Sequence, residues 1–201
     1  MQKIQLKYSL AIILSVLFFV FEANSEEKNL TIELGNKNAK ITVKVFSSLT
    51  CPHCANFHEK IFYKLKKEFI ETNVVRFEHH GFPLDLAALN AEKILKCSKN
   101  YAKRIDFLNE IYKKQNEWAV GSDINSINSK LIKIAENYDL NNVKINSCLN
   151  DEKLEDQILN DRINGNKKYS IESTPTVLIN DKKYKGKHNY EDFKKAIEKQ
   201  L

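Results

Sequence analysis

The chain has almost no methionine: one residue in 201, at position 1. Without a methionine-rich or histidine-rich approach path, a metallochaperone is a poor reading. Internal repeats and low-complexity linkers are missing too, which argues against solenoids and linker-joined arrays. Cysteine occurs only 4 times, and only Cys51 and Cys54 are close in sequence. A zinc site usually needs a second ligand pair at suitable spacing. Cys97 and Cys148 are isolated, so His53, His58, His79 and His80 would have to supply it, and no metal is expected. A concentrated basic patch is also lacking. The formal charge is +6, but the lysines are interleaved with acids. This reads as a solvated surface, with no nucleic acid partner expected.

No apolar run is long enough for a comfortable membrane span, which needs roughly 20 residues. The run from Leu10 to Phe21 is broken only by Ser15, follows Lys3 and Lys7, and precedes Ala23, Asn24 and Ser25. That is the layout of an export leader. Residues 1–25 are therefore expected to be a cleaved signal peptide, with a retained N-terminal anchor as the alternative. The mature chain would start at Glu26 in an oxidising compartment, with a bacterial periplasm as first choice. No cysteine lies near the cleavage point, so lipid attachment is not expected.

What is present divides into three parts. Leu30–Leu34 suggests a short strand, and Ile41, Val43 and Val45 alternate with Thr42 and Lys44 as a half-buried strand does. Phe57, Ile61, Leu65 and Phe69 recur at helical spacing, with Phe62 and Ile70 widening the stripe. Val74, Val75 and Phe77 return to strand, giving a parallel βαβ unit. From Leu84 to about Ile163 the pattern is helical, in segments around Leu86–Leu95, Ile105–Tyr112, Ile127–Ala135 and, capped by Asp151, Leu154–Leu159. Thr176–Ile179, a turn at Asn180–Asp181 and a second arm at Lys183–Lys185 predict a hairpin, ended by Gly186. A final amphipathic helix carries Phe193, Ile197 and Leu201. The expected division is 26–83 and 166–201 as the two halves of an α/β core, with 84–165 as an all-helical insertion. Phe57, Phe62 and Phe69 are expected in the core, Trp118 partly buried, and His58 on a solvent-facing helix surface. His79 and His80, at a strand end, are expected either at the surface or satisfied by a neighbour.

Cys51–Pro52–His53–Cys54 carries the chemistry. It stands between a strand and a helix, where a redox Cys-x-x-Cys belongs. Two cysteines three apart at a helix start can close a tight disulfide. Cys51 would lie at the helix N-terminus, where outward N–H groups and the helix dipole favour a thiolate. Pro52 fits the first helical turn, because its missing N–H would have had no helical partner. His53 can stabilise the thiolate by charge or hydrogen bonding. A stabilised thiolate is a good leaving group, so the disulfide becomes more oxidising. Cys54, one turn in, is expected to be more buried and to act as the resolving thiol.

The strand Ile41–Phe46, this motif, the segment Phe82–Pro83–Leu84–Asp85, and Ser173–Thr174–Pro175–Thr176 before a strand occur together in order. The chain in this respect resembles the DsbA-like thiol–disulfide oxidoreductase family. The resemblance implies a thioredoxin fold with an inserted all-helical domain. It implies that Pro175 is a cis-proline facing the redox pair, and that Thr174 offers backbone groups to an extended substrate. The surface around His53 and Thr174, with the loop near His80–Phe82, would receive unfolded exported proteins. Cys-Pro-His-Cys is typical of strongly oxidising members. Thr174 stands where oxidases often carry Val. Only Glu26–Lys40 precedes the first core strand, leaving no long dimerisation domain of the isomerase type. The order of readings is therefore oxidase first, isomerase or reductant second, and non-catalytic chaperone of the same fold third. The resting enzyme would hold a Cys51–Cys54 disulfide, need no cofactor, and be re-oxidised by an inner-membrane partner.

For Cys97 and Cys148 the leading expectation is a structural disulfide, since free thiols in an exported protein invite oxidation and many DsbA-like proteins carry a pair in this domain. Closing a loop over residues 98–147 is worth about 4 kcal/mol at most. Two separate buried cysteines, or a second redox pair, are the alternatives. The bond would pin the first helix of the insertion to its last long helix.

Overall fold

A computed structural model describes residues 31–201. The expected leader, the start at Glu26 and the first residue of the predicted Leu30–Leu34 strand lie outside the described residues. The first strand, β1, is Ile32–Leu34. β2 is Ile41–Ser47, with Ile41, Val43 and Val45 buried and Thr42 and Lys44 partly exposed, the predicted alternation. A continuous helical stretch over residues 52–70, α1, is α-helical at Pro52–Phe57 and Tyr63–Leu65 and takes wider π turns at His58–Phe62 and Lys66–Ile70. β3 is Val75–Gly81.

The insertion follows as α2 (Leu86–Cys97), α3 (Tyr101–Lys113), α4 (Gln115–Trp118), α5 (Ile124–Ala135), α6 (Asn142–Leu149) and α7 (Glu152–Tyr169). The expected junction at 165/166 falls inside α7, which runs on to Tyr169. β4 (Thr176–Ile179), a two-residue β5 (Lys182–Lys183) and α8 (Tyr190–Glu198) complete the chain. Asn180 and Asp181 both adopt positive φ, as a tight hairpin turn demands.

The five strands form one sheet in the order β1-β3-β2-β4-β5. β2 and β3 are parallel, joined by α1, and the other pairs are antiparallel. This mixed sheet with helices is the thioredoxin fold with a helical insertion. Val43, Val45, Phe77 and Val177 pack with Phe57, Ile61, Phe62 and Phe193 from α1 and α8. Phe46 belongs to a separate cluster with Phe82, Ile171 and Leu178. There α7 carries Gly165, where a Cβ would come within 2.5 Å of the Phe46 ring, so glycine permits the helix to pack this closely. A third core, inside the insertion, is built on Phe107, Ile111, Trp118 and Leu131 and reaches Cys54.

Three expectations need correction. His58 is buried rather than solvent-facing, because α3 packs over it: its Nε2 lies 2.7 Å from Asn109 Oδ1 and its ring stacks on Phe62. Trp118 is fully rather than partly buried, with its indole N–H donating to the Ile111 carbonyl at 2.8 Å. Cys97 and Cys148 are bonded, with Cα atoms 5.9 Å apart. That bond joins α2 to the short α6, not to the long α7, because Cys148 precedes the Asp151 cap that starts α7. His79 and His80 are both met by neighbours, Tyr112 and Glu78 respectively.

Candidate active site

β2 ends under the N-terminus of α1, and this places Cys51 at the carboxyl end of two parallel strands. The helices α2, α3, α5, α6, α7 and α8 each begin with an Asp or Asn whose side chain accepts a first-turn N–H. In α1 the capping position is Cys51, which makes no side-chain cap bond, and Pro52 follows at the first helical position. First-turn N–H groups of a helix lack intrahelical partners. Here the His53 and Cys54 N–H groups lie at the Cys51 end of the helix, and that of Cys54 donates to the Cys51 carbonyl at 3.0 Å.

The two thiols are unbonded and differ sharply in surroundings. Cys51 is half-exposed, whereas Cys54 is 1% exposed. A hydrogen bond from the Cys54 thiol, with help from Thr174 and the N–H groups of Cys54 and His53, outweighs burial and holds Cys51 down to about 5. Burial, and then the hydrogen bond to Cys51 and its negative charge, push Cys54 far up. At neutral pH the pair therefore consists of one thiolate at the surface and one thiol beneath it.

The Thr174–Pro175 peptide bond is cis. The Cys51 sulfur lies 3.3 Å from the Thr174 carbonyl oxygen, so the structure brings the two sequence-distant predicted segments together. Pro52 and His53 are exposed beside Cys51. The ring of His53 lies at the solvent rim beside Cys51. Leu84 and Leu86, 52% and 57% exposed, flank Asp85, whose carboxylate accepts a 2.7 Å hydrogen bond from the Thr50 hydroxyl next to Cys51. Among the described residues, no group of three or more His, Cys, Asp or Glu is placed to hold a metal ion.

Residues 27–199 match a protein family described as Thioredoxin. Disulfide bond formation protein D of Bacillus subtilis is 32% identical over 177 residues, covering 84% of this chain and 76% of that protein. This chain belongs to the DsbA-like family. Among solved structures, Wolbachia pipientis alpha-DsbA1 superposes with a TM-score of 0.78 at 28% identity, covering 85% of this chain and 90% of that one. A Rickettsia prowazekii relative named for protein-disulfide oxidoreduction is 28% identical over 168 residues, and this chain spans 60% of its length.

Within that DsbA-like frame, one buried polar contact had no counterpart in the sequence reading. Gln115, at the start of α4, donates from Nε2 to the carbonyls of Leu49 (2.7 Å) and Cys51 (3.1 Å). A lone glutamine among helical polar residues reads as surface, and no sequence signal marks it.

Proposed function

We propose that this protein is an exported protein-disulfide oxidase that donates a Cys51–Cys54 disulfide to folding proteins, in a bacterial periplasm or equivalent compartment. The observation that carries this reading is the asymmetry of the pair: Cys51 stands partly exposed at a helix N-terminus beside the Thr174 carbonyl, and Cys54 is buried one turn in, a placement that favours a thiolate at Cys51 and a thiol at Cys54. Stabilising the Cys51 thiolate stabilises the dithiol form, which makes the disulfide form a strong oxidant.

In the forward step a substrate thiolate attacks the Cys51 sulfur and forms a mixed disulfide, and Cys54 leaves and takes a proton. A second substrate thiolate attacks the substrate sulfur of that mixed disulfide, and Cys51 departs as thiolate. Two electrons pass to the enzyme and one disulfide appears in the substrate. Thr174 and Pro175 hold the substrate backbone in extended form beside Cys51, and Leu84 and Leu86 offer apolar contact to unfolded chain. The ring of His53 stands exposed at the rim beside Cys51. A membrane-bound oxidant restores the disulfide, and the exchange itself uses no cofactor. Cys97–Cys148 serves as a structural bond.

Thr174 before the cis-proline favours, as a second reading, an isomerase or reductant on the same residues. Oxidative refolding of a reduced, disulfide-containing protein by the oxidised enzyme tests the first reading. Wild type should drive stoichiometric disulfide formation, and Cys51→Ser should abolish it. Full activity in Cys51→Ser would overturn the nucleophile assignment.

A further inference from the structure

The loop before α1 is held by the insertion at two points. One is the Gln115 carboxamide, 8% exposed, which spans the Leu49 and Cys51 carbonyls. The other is Asp85, the N-cap of α2, which accepts from the Thr50 hydroxyl at 2.7 Å. Leu49 is fully buried, so its carbonyl has no easy alternative in water. The Cys51 carbonyl also accepts from the N–H groups of Cys54 (3.0 Å) and Ala55 (3.2 Å), the bonds that start α1. Gln115 therefore grips the peptide group on which the first turn of the redox helix is built. It does not touch either sulfur.

We propose that Gln115 is a positioning residue through which the helical insertion sets the reactivity of Cys51. By fixing the Leu49 and Cys51 peptide planes, it holds the first turn of α1, and with it the Cys51 sulfur, in place at the helix N-terminus. Loss of its two donated bonds leaves the Leu49 carbonyl buried without a donor. The loop then has to shift toward water, and Cys51 leaves its place at the helix N-terminus. The inference rests on the reading of Cys51 as the reactive thiolate.

The test uses the full mature protein with Gln115→Met, which keeps length but removes both donors. A second variant, Gln115→Glu, is nearly the same shape and cannot donate once ionised. Ultraviolet absorbance of the thiolate against pH reads the Cys51 titration, an equilibrium with glutathione reads oxidising power, and thermal melting reads stability. Both variants should titrate about one pH unit higher, with oxidising power against glutathione falling about tenfold. If Gln115→Met does not fold, Gln115→Asn, uncharged and too short to reach both carbonyls, decides, because the Gln115→Glu shift includes the repulsion of its own charge. A lowered melting temperature with the Cys51 titration unmoved would make Gln115 merely structural and overturn the proposal. A wild-type Cys51 that titrates as an ordinary thiol would overturn the reactive-thiolate reading itself, and the role of Gln115 with it.

Discussion

The two cysteine pairs of this chain are built on opposite plans. Cys51 and Cys54 sit in one helical turn, unbonded, one half-exposed and one buried, with their acidities driven apart. Cys97 and Cys148 are 51 positions apart, lie on different helices and are joined. The first pair sits where β2 delivers it to an uncapped helix end, in reach of Thr174. The second lies in the insertion, among Asp- and Asn-capped helices. The difference teaches that reactivity here comes from position rather than from cysteine itself. A helix N-terminus, access to solvent and a neighbouring thiol donor are present at one pair. At the other, a closed loop restrains the chain.

The contrast predicts separable effects. Replacing both Cys97 and Cys148 by Ala should lower unfolding free energy by up to about 4 kcal/mol, measured by denaturant unfolding of the dithiol protein. Thiol exchange at Cys51 should continue at temperatures where the variant is folded. Loss of exchange in a folded variant would join the two pairs functionally and break the comparison.

His58 sharpens it from the redox side. Burial, only partly offset by the hydrogen bond to Asn109, pushes its pKa from 6.5 down to about 4. The folded state holds the neutral ring, while the unfolded chain takes up a proton near 6.5. Stability is therefore full above 6.5 and is lost as pH falls from 6.5 toward 4, by about 3 kcal/mol for this group. His58→Gln should flatten the fall in stability across that window, read by unfolding at several pH values. An unchanged slope would show that other groups, such as the deeply buried His79, account for the acid sensitivity.

Much of this was legible before the structure. Alternation in Ile41–Val45 and the helical stripe through Phe57, Ile61 and Leu65 marked the βαβ unit that carries Cys51. The Asp151 cap and the apolar spacing around Leu86, Leu108 and Leu131 marked the insertion. What stayed hidden depends on how elements meet. His58 lies beside the apolar stripe on α1, and only the packing of α3 buries it. The full burial of Trp118 comes from the insertion core closing around it, not from its place near a helix end. Gln115 carries no local signal, because its partners are backbone carbonyls far away in sequence. The helix bonded to Cys97 follows from chain order: α6 and α7 both pack on α2, but Cys148 precedes the Asp151 cap and so belongs to α6.

The most direct test of the central claim is the equilibrium reduction potential of Cys51–Cys54, poised against glutathione. A value near about −120 mV is the prediction, and marks a pair whose stabilised thiolate makes its disulfide a donor. A value of about −200 mV or lower would contradict the oxidase reading and point to an isomerase or reductant.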